Sequence, residues 1–78
     1  MPTILNIGPY RFFFYGNDRR EPMHVHVERD DQKAKFWIRP VVLAHNRSFR
    51  APELSKLHAL VREHEATFEE AWHAHFDS

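Results

Sequence analysis

The chain of 78 residues contains no cysteine, which excludes disulfide staples, zinc thiolate sites and a cysteine nucleophile. It has only two glycines, Gly8 and Gly16, too few for a phosphate loop or a dinucleotide fingerprint, so no nucleotide cofactor, or any other cofactor, is expected. No apolar run approaches the roughly 20 residues of a membrane helix. The start MPTILNIGPY also lacks the basic and long apolar regions of an export signal, so a cytoplasmic chain that makes no use of a membrane is expected. An excess of charge is missing too: 11 Lys/Arg stand against 11 Asp/Glu. That balance argues against a uniformly basic polyanion binder.

What is present is apolar and aromatic. Apolar residues make up 42% and aromatics 14%, and seven histidines are many for this length, so the chain is not disordered. Two cores would each be too small to offset chain entropy, so residues 1–78 are expected to form one domain, with a sheet region over 1–46 and a helix over 51–76. The neutral total hides a split. Residues 1–50 carry nine Lys/Arg against five Asp/Glu, whereas residues 51–78 carry two against six.

Thr3 to Ile7 is apolar and β-branched, Gly8-Pro9 interrupts it, and Tyr10 to Tyr15 follows as a run of aromatics around Arg11, which together predict two antiparallel strands. Alternation places Tyr10, Phe12 and Phe14 on one face and Arg11, Phe13 and Tyr15 on the other. Gly16 to Met23 reads as the longest exposed loop. His24 to Glu28 and Ala34 to Arg39 alternate strictly, predicting a hairpin with Val25, Val27, Ala34, Phe36 and Ile38 inward. His24, His26, Glu28, Lys35, Trp37 and Arg39 then share the outer face. Val41 to His45 supplies one more short strand. From Pro52 the period becomes helical, with Leu54, Leu57, Leu60, Val61, Phe68, Ala71, Trp72 and Phe76 on one face. The expected fold is α+β: an antiparallel sheet of four to five short strands, ββββ(β)α, covered by one long C-terminal helix, with a break near Glu65 to Thr67 as the alternative.

The combination of MPTIL, IGPYRFFFY (7–15), PMHVHVE (22–28), AKFW and the C-terminal REHEATFEEAWHAHF resembles a family of small bacterial proteins, the domain of unknown function 4160. The resemblance spans nearly the whole chain and implies a prokaryotic origin. It also implies a neighbouring gene for a small protein of the domain of unknown function 2442 family, an arrangement similar to a toxin–antitoxin module. Some relatives of that partner resemble carriers of a helix-turn-helix, so the resemblance makes this chain the toxin-like, partner-binding half. Arg50 departs from the Ser or Thr that members often place there, which weakens the helix start.

His24 and His26 are the sharpest local feature, because i, i+2 on a strand points both imidazoles the same way, with Cα atoms about 6–7 Å apart. Three uses stay open. As general base and acid they would suit RNA cleavage, with Arg11, Lys35 and Arg39 on phosphate and Trp37 stacking a base. With Glu28 they would supply a divalent metal site, although no metal is expected on the first reading. They are also ordinary polar residues of an interaction face, as in a non-catalytic antitoxin. Enzymatic activity is therefore left open. A homodimer would give a strand that is apolar on both faces, such as Phe12–Phe14, a place to bury its second face.

Overall fold

A computed structural model describes residues 3–77. Five strands, β1 (Thr3–Ile7), β2 (Tyr10–Phe13), β3 (His24–Arg29), β4 (Gln32–Trp37) and β5 (Val42–Arg47), form an antiparallel meander in the order of the chain. Two helices follow, α1 (Ala51–Glu63) and α2 (Glu65–Phe76). The α+β class and a five-stranded sheet stand as the alternation of the sequence predicts.

Local chemistry explains the turns. Gly8 takes φ +55° between β1 and β2, a left-handed conformation that costs glycine nothing. Asp30 adopts φ 56° in the two-residue Asp30-Asp31 turn that joins β3 to β4, where short polar side chains tolerate that region. In β3 and β4, Val25 faces Phe36 and Val27 faces Ala34 across the ladder, all four buried. Phe12 and Phe14 of the preceding segment, with Leu57, Val61, Phe68 and Trp72 of the helices, complete the same cluster. The apolar spacing of 57, 61, 68 and 72 keeps one stripe against the sheet through both helices.

The strands shift by one or two residues at their ends, from Ala34–Arg39 to Gln32–Trp37 and from Val41–His45 to Val42–Arg47, but the single long helix is the element whose form differs. His64 (φ −106°, ψ 20°) interrupts it, although His64 N–H still reaches Leu60 O and Phe68 N–H reaches His64 O, both at 3.0 Å. A one-residue interruption leaves no loop for a helical hairpin, so the result is two consecutive helical segments rather than either expected form. The break falls one residue before the predicted weak point. Two histidines of the helices differ as well. His58, whose wheel position points to solvent, is half-buried and bonds Val41 O at 2.9 Å, whereas His75, expected on the apolar side, is exposed.

The charge split is partly closed within the fold. Arg29 of β3 and Tyr10 of β2 both bond Glu53 in the first turn of α1, at 3.1 and 2.6 Å, and Arg39 pairs with Glu69 of α2. Basic sheet and acidic helices are thus tied to each other at two points.

Candidate metal centre

The loop after β2 folds back over the outer face of the sheet through one 3-10 turn, Asp18–Arg20. Asp18 N–H bonds Tyr15 O at 3.2 Å, while the Asp18 carboxylate takes the Tyr15 N–H through Oδ2 at 2.8 Å. That reciprocal pair turns the acid inward, so that Asp18, in a loop that reads as solvent-exposed, is buried. It lands on His24 and His26. The ligand atoms of Asp18, His24 and His26 lie within 4.8 Å of one another.

The protons in this cluster can be assigned from their partners. His24 Nδ1 lies 2.8 Å from Pro22 O, and a carbonyl has no hydrogen to offer, so Nδ1 carries the proton. In a neutral ring of that tautomer the lone pair is on Nε2. His24 is fully buried, and its Nε2 has no hydrogen-bond partner among the described residues. Asp18 Oδ1 stands 3.2 Å away, within ion-pair range but off the direction along which a ring N–H would point. With a neutral ring, two acceptor atoms stand 3.2 Å apart in a dry site. That arrangement is unfavourable unless a cation, a proton or a metal ion, relieves it.

His26 plays a different part. Its Nε2 is 3.0 Å from Asp18 Oδ2 and donates to it. Burial holds the His26 imidazole below its ordinary range, against the opposing pull of Asp18, so the neutral ring is favoured. For Asp18, burial alone would push the carboxyl up. The Tyr15 N–H and the two imidazoles outweigh it, and the group stays below the ordinary carboxylate range. A carboxylate held ionised and a His26 ring held neutral are the forms in which these two side chains ligate a metal.

Aromatic rings enclose the cluster. Trp37 and Trp72 stand edge-on and tilted against His24, at ring-centroid distances of 5.5 and 5.2 Å, while Phe13 stacks on His26 at 5.4 Å and Tyr15 meets it edge-on at 4.6 Å. Phe13, the second apolar face of β2, is thereby covered within the chain by His26 and Tyr15.

The other outer-face residues are placed elsewhere. Glu28 pairs with Arg11, not with the histidines. Lys35 pairs with Glu21 and lies over the Trp37 ring at 4.5 Å, and Arg39 is tied to Glu69. Each basic residue named from sequence as a phosphate contact is thus already engaged by a carboxylate. Of the three residues that meet in the centre, sequence reasoning named two and missed Asp18. Its signal was faint: an acid three residues after the aromatic run, in a loop where Asp is common for turn-forming reasons alone.

Residues 10–73 match the family model described as "Domain of unknown function (DUF4160)". No curated protein and no solved structure matches the chain.

Proposed function

The chain belongs to the DUF4160 family, as a match over most of its length shows, and since that description names no chemistry, we propose from the geometry that the protein binds a divalent transition metal through Asp18, His24 and His26. One observation carries the reading: the buried His24 Nε2 has no hydrogen-bond partner among the described residues and stands 3.2 Å from Asp18 Oδ1. Two imidazoles and one carboxylate are a donor set for zinc, iron(II), cobalt or nickel. The supporting contacts have the form that ligands usually receive. His24 Nδ1–H is fixed by Pro22 O and Asp18 by the Tyr15 N–H, which set the tautomer and the carboxylate orientation.

Closing on an ion at about 2.1 Å sets tetrahedral ligands about 3.4 Å apart, so that a separation of 4.8 Å comes in by about 1.4 Å. His26 supplies that movement, with 16% of its side chain exposed, and passes its proton from Nε2 to Nδ1 as it ligates. The same burial speaks against His24 as a general acid or base. A proton-transfer group must come within hydrogen-bond reach of substrate, and His24 has no exposed surface.

The test is elemental analysis and titration with Zn²⁺ and Co²⁺ on tag-free protein. About one equivalent is expected, falling at least tenfold in affinity in His24→Ala and in His26→Ala. Less than about a tenth of an equivalent, or binding indifferent to both substitutions, overturns the reading. Whether the chain is the toxin half of a two-gene module is a separate question, answered by expression alone and with the neighbouring gene. Growth arrest relieved by the neighbour supports the toxin half.

A further inference from the structure

Beside the metal centre, on the same face of the sheet, β4 and β5 form a depression of about 560 Å³ whose walls carry Lys33, Lys35, His45 and Arg47, with Tyr15 and His26 at its inner side. The register explains the concentration of charge. Lys33 is paired directly with Arg47, and Lys35 with His45. Side chains directly opposite in an antiparallel ladder have Cβ atoms about 4.5–5.5 Å apart, and like charges there destabilise the pair. Among the described residues no carboxylate forms an ion pair with Lys33 or Arg47. Glu28, which faces Lys33 from β3, is drawn away to Arg11. Lys35 lies over the Trp37 ring, and its one carboxylate partner among the described residues is Glu21, whose side chain is 49% exposed. The depression is therefore a cationic hollow whose own charges repel.

We propose that this hollow is a binding site for a phosphate ester, held by Lys33 and Arg47 with His45 and Lys35 alongside. Several donors converging on one hollow match the three acceptor oxygens of a phosphate, and the Arg47 guanidinium can engage two of them at once. Tyr15, half-buried at the inner side, offers an edge against which the remainder of the ester packs. Two sources carry this chemistry, a mononucleotide and the backbone of a single-stranded nucleic acid. The two cross-strand pairs lie two residues apart, about 6.6 Å along the strand, so that one pair can serve a terminal phosphate and both pairs a continuing chain. His26 is common to this site and the metal centre, yet the cationic grip requires no metal.

The experiment is run on full-length, EDTA-treated protein, so that its outcome is independent of the metal reading. Three probes are titrated: inorganic phosphate, AMP, and a labelled single-stranded RNA 12-mer of mixed sequence. Binding of at least one, weakened tenfold or more in Lys33→Glu/Arg47→Glu, is the expected result. Lys56→Glu/Arg62→Glu makes the same charge change on exposed positions of α1 and is expected to alter binding less than twofold. If the RNA binds tenfold or more tighter than AMP, the source is a strand. Its log affinity should then fall against log salt with a slope of about −1.4 for the two phosphates that the two pairs meet. Equal binding of AMP and RNA marks a small ligand. No binding of any probe at 1 mM phosphate or AMP and 50 µM RNA, or equal losses in the two double variants, overturns the proposal. Circular dichroism of Lys33→Glu alone guards against a folding defect, and the milder Lys33→Gln/Arg47→Gln is expected to reproduce the loss.

Discussion

Replacing Asp18 with asparagine separates a metal ligand from a structural acid, because the two roles predict opposite outcomes in metal-free protein. The substituted side chain keeps one oxygen to accept the Tyr15 N–H and the His26 N–H, the bonds now at 2.8 and 3.0 Å. Its amide N–H₂ would stand where Oδ1 does, 3.2 Å from His24 Nε2, and a small rotation turns it onto that atom, which has no hydrogen-bond partner among the described residues. Satisfying that atom is worth about 1–3 kcal/mol, whereas turning two charge-assisted bonds into neutral ones costs about 1 kcal/mol each. The net change is within about 1 kcal/mol, a shift of no more than about 4–8 °C in Tm for a domain of this size. Metal reverses the comparison. At a hundredfold excess over Kd a ligand adds about 2.7 kcal/mol, or roughly 10–20 °C, to the native protein. The amide is a poor ligand for these ions, so Asp18→Asn gains nothing. Thermal melts of both proteins in EDTA and in Zn²⁺ at pH 7.5 read all four values. A loss of about 3–5 kcal/mol on substitution in EDTA would mean that His24 is an imidazolium in a buried ion pair with Asp18, and it would refute the argument.

Acid titration of the metal-free protein should unfold it in two windows. The His26 pKa is depressed on folding, so its contribution is complete above pH 6.5 and lost as pH falls below that; the Asp18 contribution is complete above 3.8 and lost below it. His26→Gln should abolish the first window and leave the second, as read by denaturant midpoints from pH 8 to 3. Glu28→Gln should leave metal affinity within twofold of native, and breaking its part-exposed pair with Arg11 should cost no more than about 1 kcal/mol; a tenfold loss of metal would restore Glu28 as a ligand. Phe12→Ala removes a fully buried ring that packs on Phe68 at 5.1 Å and should cost about 3–5 kcal/mol in guanidinium denaturation.

The parts that the sequence made legible are those in which one period decides the answer. Strict alternation from His24 to Trp37 put Val25, Val27, Ala34 and Phe36 inside and His26 on the other face, whereas His24, read as an outer-face residue, is fully buried between Trp37 and Trp72 at the start of β3. The helical stripe from Leu57 to Trp72 was equally plain, but the interruption at His64 was not, since the apolar pattern runs on across it. The functional residues that escaped are held by contacts with no period. Asp18 is buried because a loop turns back and its carboxylate caps the Tyr15 N–H, a long-range placement that only the folded sheet defines. Likewise the outer face reads as one basic strip in sequence. Folding divides it, because Arg11, Lys35 and Arg39 each meet a carboxylate while Lys33 and Arg47 are brought opposite one another. Residue type alone therefore pointed to the right face and the wrong cations. What distinguishes a binding group from a structural one here is whether the fold has already supplied its partner: among the described residues His24 Nε2 has no hydrogen bond, and Lys33 and Arg47, paired with each other across the ladder, have no carboxylate.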